Sequence, residues 1–186
     1  MKRIFRPKTK KGKAILAIAL IIVVSLLIPQ TIINPVEGCG TESYSHDTFW
    51  QPWGDHHHHG VDIFAKKGTP IHSPITPGLV IATTHNRGAG GNTVSILGSH
   101  GRIYYMAHLD EVKTHIGAVV TRSTVIGTVG NTGNAATTPP HCHFSIMTIF
   151  PRISHWVPVS QYTMRDDAFK MFFVNPVKAL NGEQIW

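Results

Sequence analysis

The sequence is poor in charged residues and in cysteine. Charged side chains make up only 15% of the 186 residues, whereas 17 glycines and 12 prolines interrupt the chain. This balance favours many turns and short strands over long solvated helices. Two cysteines, Cys39 and Cys142, are too few for a disulfide framework. We therefore expect one mainly β domain whose stability comes from a hydrophobic core.

The excess of positive charge is confined to the N-terminus. The formal net charge is +7, yet seven basic residues lie within positions 1–13, namely Lys2, Arg3, Arg6, Lys8, Lys10, Lys11 and Lys13. From residue 14 onward, ten basic residues balance ten acidic ones. Because this larger part of the chain is neutral overall, net charge does not indicate a nucleic-acid partner.

An apolar run follows the basic residues 1–13. It extends from Ala14 to Ile28, is interrupted only by Ser25 and is followed by Pro29. A basic flank and an apolar run are typical of an export signal or a membrane anchor, with the basic end in the cytoplasm. We interpret residues 14–34 as a transmembrane or signal segment and favour an uncleaved anchor, with cleavage as the alternative.

The rest of the chain predicts a single β domain. Residues 35–48 have no apolar period and are expected to form a linker, so the domain is expected to begin near Phe49. Six β-type runs follow, at 61–64, 79–84, 92–97, 102–108, 124–129 and 142–149. Residues 166–173 indicate a short helix, and the tail after Val174 is predicted to be irregular. We expect stacked antiparallel sheets over residues 49–150, with residues 151–186 as an extension that packs on them.

The 13 histidines are clustered in a way that indicates a metal site. Four are consecutive, at 56–59, and His141 and His143 are two positions apart. Residues two apart in a strand face the same side, about 6.6 Å from each other, so His141 and His143 can point into one site while Cys142 points away. The weaker alternative is that the Cys142 thiolate is the ligand, which would turn both histidines away from the metal.

Asp62 is the candidate carboxylate beside the histidine run. In a straight strand His58 and Asp62 would be about 13 Å apart, too far for one ion, so the chain must bend between them. Gly60 permits such a bend and leaves room beside a metal. This arrangement favours His58 over His59 as a ligand, although spacing alone leaves that choice open.

Five spaced motifs resemble the lysostaphin-type (LytM-type) metalloendopeptidases. They are HHGVD at 58–62, GTPI at 68–71, YMAHL at 105–109, GNTGN at 130–134 and PHCHF at 140–144, within a resemblance that covers about residues 49–150. The long form of the segment from Gly130 to His141 resembles Gram-negative members. Cys142 replaces the usual leucine and Ser123 a common turn glycine, but neither departure removes a ligand.

The resemblance implies a zinc-dependent endopeptidase that hydrolyses peptide cross-links of peptidoglycan during cell wall remodelling. It implies one Zn²⁺ per chain, with His58, Asp62 and His143 as ligands and His108 and His141 as catalytic residues. The sequence has no His-Glu-x-x-His motif, so a histidine must act as the general base. His141 is the candidate base and His108 the donor to the oxyanion, and the sequence leaves an exchange of these two roles open.

The resemblance also implies a location and a rival function. We expect the bacterial inner membrane, with the catalytic domain in the periplasm, or secretion into the periplasm after cleavage. The alternative function is a non-catalytic peptidoglycan-binding or amidase-activating module, but such relatives typically lose zinc ligands, and all five site residues are present here. A metal-storage protein would leave the ordered later motifs unexplained.

Overall fold

The structure is a computed structural model that describes residues 9–27, 30–156, 158–162, 164–183 and 185. It has two α-helices, α1 (Lys10–Leu27) and α2 (Pro176–Leu180). Its strands are β1 (Pro52–Trp53), β2 (His56–His57), β3 (Val61–Phe64), β4 (Pro70–His72), β5 (Gly78–Arg87), β6 (Gly91–Leu97), β7 (Arg102–Ala107), β8 (Leu109–Val112), β9 (Val119–Val120), β10 (Val125–Val129), β11 (His141–Thr148) and β12 (Phe173–Val174).

The strands form two larger antiparallel sheets and one small hairpin. The main sheet has the order β12-β11-β7-β6-β5-β9, and β3 also pairs with β11. The second sheet has the order β4-β10-β8, and β1 pairs with β2. One hydrophobic cluster joins buried residues of both larger sheets, including Ile96 and Phe144 from the main sheet and Ile71 and Ile126 from the second. The mainly β, antiparallel architecture expected from the sequence is confirmed.

The six β-type runs of the sequence all form strands, as β3, β5, β6, β7, β10 and β11. The predicted short helix is a 3-10 helix, Asp167–Phe172. The prediction of an irregular tail was wrong, because Pro176–Leu180 form α2. Pro176 begins this helix, and the Asn175 side chain accepts a hydrogen bond from the Val177 amide at 2.9 Å, which caps it.

The N-terminal segment differs from the sequence prediction. No helix in the described part of the chain combines the length and the apolarity needed to cross a membrane. Within the described residues, the predicted segment 14–34 is helical up to Leu27 and Gln30 onward belongs to the folded domain, while residues 28 and 29 lie outside the described part of the chain. Ile32 is buried in the core, and the Ile33 amide donates to the Pro74 carbonyl at 3.0 Å.

Residues 35–48 are likewise part of the domain and not a free linker. Val36 and Tyr44 are buried in the core, and each forms an isolated β-bridge, Val36 with Ile71 and Tyr44 with Ile63. Neither residue stands in an alternating apolar pattern, so their burial could not be predicted from the sequence. The expected start of the domain near Phe49 was therefore too late.

Candidate metal centre and active site

The pairing of β3 with β11 brings two of the predicted ligands together. Asp62 of β3 lies directly opposite His143 of β11 in the antiparallel register. Residues opposite each other in such a pair project from the same face with their Cβ atoms about 5 Å apart. The Asp62 Oδ1 atom lies 2.8 Å from His143 Nδ1.

His58 reaches the same point from the loop between β2 and β3. Its Nε2 atom lies 3.1 Å from Asp62 Oδ1 and 3.1 Å from His143 Nδ1. Its other ring nitrogen, Nδ1, donates to the Thr48 carbonyl at 3.2 Å. This hydrogen bond places the ring proton on Nδ1, so the Nε2 atom that faces Asp62 and His143 presents a lone pair.

The ring of His143 is oriented in the same way by Ser145. The Ser145 hydroxyl donates to the His59 carbonyl at 3.1 Å, so its oxygen is available to accept from His143 Nε2, which lies 2.9 Å away. The ring proton of His143 is therefore on Nε2. Its Nδ1 lone pair points toward Asp62 and His58, because a neutral imidazole has one donor and one acceptor nitrogen.

The three convergent atoms fit a zinc ion. Two imidazole lone pairs and one carboxylate oxygen lie within 3.1 Å of one another, an arrangement of acceptors without a donor between them. Three ligands of a tetrahedral zinc ion, each about 2.0 Å from the metal, are about 3.3 Å apart. Because the imidazole nitrogens that face Asp62 are acceptors, no proton donor from His58 or His143 competes for its carboxylate oxygen, which is available to a cation.

His141 and His108 lie beside this centre with their rings 5.0 Å apart. His141 Nδ1 donates to the Pro139 carbonyl at 2.8 Å, and His108 Nδ1 donates to the Thr132 carbonyl at 2.9 Å. Each histidine therefore has its Nε2 atom available as a proton acceptor. Burial lowers the pKa of His108 to about 4, so this ring is neutral at physiological pH.

The position of His108 follows from the path of the chain. It lies between β7 of the main sheet and β8 of the second sheet, where the chain passes from one sheet to the other. Its φ of +63° is in the left-handed region, which is uncommon for a residue other than glycine. Such a backbone conformation is a recognised feature of active sites, where the surrounding structure holds it in place.

All five predicted site residues line one cavity of about 400 Å³. Its rim includes Trp53 and Phe64, whose side chains are 56% and 46% exposed. Trp53 lies against the ring of His58, and Phe64 lies against the ring of His141. The cavity therefore has apolar walls on two sides and converging polar groups within it, which is typical of a site for a small molecule or a peptide.

The positions of Cys142 and His59 in the structure do not favour either residue as a metal ligand. Cys142 is fully buried in the hydrophobic core, and burial raises the pKa of its thiol, which disfavours a thiolate. His59 contacts Asp166 through its Nε2 atom and takes no part in the group formed by His58, Asp62 and His143.

A comparison with known proteins places the chain in a family. Residues 56–155, more than half of the chain, match Peptidase family M23. The chain belongs to peptidase family M23. The resemblance to lysostaphin-type enzymes that the motifs indicated is thereby confirmed.

The alignments with individual M23 relatives cover about half of this chain. Glycyl-glycine endopeptidase ALE-1 of Staphylococcus capitis is 36% identical over 49% of this chain and 25% of its own length. Peptidoglycan DD-endopeptidase ShyA of Vibrio cholerae is 34% identical over 48% of this chain and 20% of its own length. A zinc containing peptidase from Vibrio cholerae has a similar structure, with a TM-score of 0.51 and 26% identity over 63% of this chain and 37% of that one. This chain thus spans a quarter or less of the length of these two curated relatives.

Several residues around the M23 site had no part in the sequence prediction. Ser145 shares the strand face of His143, so its position two residues further along β11 was a signal that could have found it. Thr48 and Asp166 gave no such signal, because they reach the histidine run from segments that are distant in sequence or irregular.

Proposed function

We propose that the protein is a zinc-dependent endopeptidase that hydrolyses peptide cross-links of peptidoglycan. The observation that carries this proposal is the convergence of lone pairs from His58 and His143 with the Asp62 carboxylate, beside two further histidines with free Nε2 atoms. One relative is named a glycyl-glycine endopeptidase, and another a peptidoglycan DD-endopeptidase. Membership of family M23 supports peptide-bond hydrolysis as the reaction class.

In the proposed reaction His58, Asp62 and His143 hold one zinc ion. When bound, zinc supplies a Lewis acid that polarises a carbonyl group and lowers the pKa of water toward neutrality. His141 accepts the proton of the attacking water at Nε2 and afterwards delivers it to the leaving amine. The Pro139 carbonyl keeps the ring of His141 in the required tautomer, since it accepts from Nδ1 at 2.8 Å.

His108 has the complementary role at the developing oxyanion. Its ring lies 5.0 Å from that of His141, so both side chains can reach one substrate carbonyl. To donate a hydrogen bond from Nε2, His108 must take up a proton there from solvent while Nδ1 stays bound to the Thr132 carbonyl. The developing negative charge favours that protonated form. The similar hydrogen-bonding of the two histidines is also compatible with an exchange of these roles.

The substrate determines where the enzyme acts. Peptidoglycan lies outside the cytoplasmic membrane, so we place the domain on that side, in the periplasm of a Gram-negative cell. The similarity to a peptidoglycan DD-endopeptidase of Vibrio cholerae supports a cross-link between D-amino acids as the bond. The Trp53 and Phe64 side chains on the rim offer apolar surfaces to the peptide.

The test is zinc content together with digestion of purified peptidoglycan by the full chain. Wild type is expected to bind about one zinc ion per chain and to release new peptide ends, and His143→Ala is expected to lose both. His115→Ala, at an exposed histidine outside the cavity, is the matched control and should behave as wild type. Zinc binding without cleavage would point to a regulated or partner-dependent enzyme, and a wild type without zinc would refute the proposed centre in favour of the non-catalytic module.

A further inference from the structure

The segment that carries His58 has few backbone contacts with the larger sheets. Within the described residues, the hairpin of β1 and β2 pairs with neither of them. His58 exchanges hydrogen bonds at 2.8 Å with the Trp50 amide and the Gln51 carbonyl, which belong to the same hairpin. These bonds fix the hairpin internally, but they do not fix His58 relative to Asp62 and His143 on the main sheet.

The side chains of His57 and His59, on either side of His58, make contacts outside the hairpin. His58 turns toward Asp62 and His143, whereas His57 and His59 turn toward Asp166. This alternation is that of an extended chain, in which successive side chains point to opposite sides. The histidine run therefore presents its ligand to the zinc centre and its two flanking rings to the C-terminal extension.

Asp166 holds both flanking residues with one carboxylate. Its Oδ1 atom lies 2.9 Å from His57 Nδ1, and its Oδ2 atom accepts from the His57 amide at 3.0 Å and contacts His59 Nε2. The carboxylate and the His57 ring are buried. The ring of His57 stacks on Trp50 and that of His59 on Phe173, so aromatic surfaces enclose the contact. Ionised carboxylates that bind several donors in such surroundings form strong hydrogen bonds.

Asp166 is in turn connected to the main sheet. Its carbonyl accepts from the Phe169 amide at 2.9 Å, at the start of the 3-10 helix Asp167–Phe172. That helix leads directly into β12, where Phe173 and Val174 pair with Met147 and Ile146 of β11. The strand β11 also carries His143. Asp166 thus connects His57 and His59, through β12, to the strand β11 that carries the proposed ligand His143.

We propose that Asp166 is a positioning residue for the metal ligand His58, and that the C-terminal extension thereby completes the zinc site. This inference rests on the proposed zinc centre. Asp166 is not among the residues that line the cavity of the proposed zinc centre. It acts by fixing His57 and His59. The His58 ring is thereby held close to Asp62 and His143 before the metal binds. Groups that orient metal ligands typically account for about 10–100-fold in metal affinity.

A second metal ion is the competing interpretation of the same cluster. His57, Asp166 and Asp167 each offer an atom, and these atoms lie within 4.8 Å of one another. At Asp166, however, the carboxylate oxygens face an amide proton and two imidazole nitrogens at hydrogen-bond distance. An ionised carboxylate only accepts, so those nitrogens act as donors and their lone pairs are not directed at an ion. At the zinc centre the facing atoms are all acceptors.

The experiment measures zinc affinity of the full chain by competition with a chelator of known affinity. In Asp166→Asn one carboxylate oxygen becomes an NH₂ group, which cannot accept from a histidine. We expect zinc to bind about 10–100-fold more weakly, still at one ion per chain. Cleavage measured at low free zinc should fall, and excess zinc should restore it, which a general loss of structure would not allow.

Two control variants separate positioning from stability. Asp55→Asn removes another carboxylate bound to the histidine run, an exposed one 2.9 Å from His56, and should leave zinc affinity unchanged. Val174→Ala weakens the packing of β12 without changing a polar contact of Asp166. The proposal is overturned if Asp166→Asn binds zinc as tightly as wild type, if Val174→Ala loses as much affinity while folded, or if wild type holds a second ion that Asp166→Asn loses. A wild type without any zinc would instead refute the centre itself.

Discussion

At the scale of single residues, the site is organised by the second nitrogen of each histidine. His58, His143, His108 and His141 bind respectively the Thr48 carbonyl, the Ser145 hydroxyl, the Thr132 carbonyl and the Pro139 carbonyl. Each partner fixes which nitrogen carries the proton and which presents a lone pair to the cavity. All four rings present a lone pair. The proposed ligands His58 and His143 therefore differ from the proposed catalytic residues His108 and His141 only in their distance from the Asp62 carboxylate.

This arrangement predicts that catalysis and zinc binding can be separated by mutation. His141→Gln removes the proposed base but leaves His58, Asp62 and His143 in place. We expect peptidoglycan cleavage to fall by about 10²–10⁴-fold, the usual contribution of a general base, while zinc content stays as in wild type. His108→Gln should give a similar result. The measurement is the initial rate of release of peptide ends, normalised to bound zinc.

The comparison with His143→Ala makes this prediction specific. That variant should lose zinc and cleavage together, because it removes a ligand. If His141→Gln also loses most of its zinc, His141 is part of the metal-binding group and its assignment as the base is wrong.

Gly60 shows what the sequence could and could not predict at this scale. The sequence indicated two possible uses of the glycine between His58 and Asp62, for two reasons: an unusual backbone conformation that permits a bend, and free space beside a metal. The structure supports the second reason. A Cβ atom on Gly60 would lie 2.6 Å from Ser145 Oγ and 2.8 Å from His143 Nε2, and Gly60 is not among the glycines with positive φ. The close approach of Ser145 could not be foreseen without the pairing of strands.

At the scale of elements, strands with their own apolar pattern were predicted and those without it were not. The run 61–64 matches β3, and the run 142–149 matches β11 to within one residue. Strands β1, β2, β9 and β12 have only two residues each, too few for a period to be recognised. Their existence depends on partners that are distant in sequence, as when β12 pairs with β11. The spacing of two between His141 and His143 was informative because it lies within a long strand.

The contact between the C-terminal extension and the histidine run predicts a pH-dependent stability. Burial alone raises the pKa of Asp166, but hydrogen bonds from the His57 amide, the His57 ring and His59 outweigh it and lower the pKa from 3.8 to about 2. A group whose pKa is lower in the folded state stabilises it above its unfolded pKa. This contribution is therefore complete above about pH 4 and is lost as the pH falls through about 2.

Urea unfolding of chelator-stripped wild type and Asp166→Asn should reveal this contribution. Wild type is expected to be the more stable near neutral pH, and the difference between the two free energies of unfolding should shrink as the pH falls below about 4. Asp167 also faces His57, at 3.6 Å, but it is present in both proteins and so largely cancels from the difference. A difference that stays constant down to about pH 3 would contradict an ionised Asp166 in this contact.

At the scale of the whole molecule, the domain is larger than its recognisable motifs. The M23 match covers residues 56–155, yet buried core residues lie on both sides of it. Ile32, Val36 and Tyr44 precede the match, and Val174 and Val177 follow it. The motifs around the site identify the family, whereas the flanking segments complete the core. These flanks gave no periodic signal because each contributes single buried side chains and not a continuous face.

This organisation predicts that the N-terminal flank stabilises the fold although it lies outside the matched region. Val36 is 2% exposed and Val24, in α1, is 47% exposed, so the same substitution tests a buried and an exposed position. Val36→Ala removes buried methyl groups and should lower the free energy of unfolding by about 1–3 kcal/mol. Val24→Ala should change it by less than about 0.5 kcal/mol. Urea unfolding of the two full-length variants measures both values. Equal effects would mean that residues 30–44 are not part of the cooperative domain, and that the sequence-based boundary near Phe49 describes the folding unit better than the buried core does.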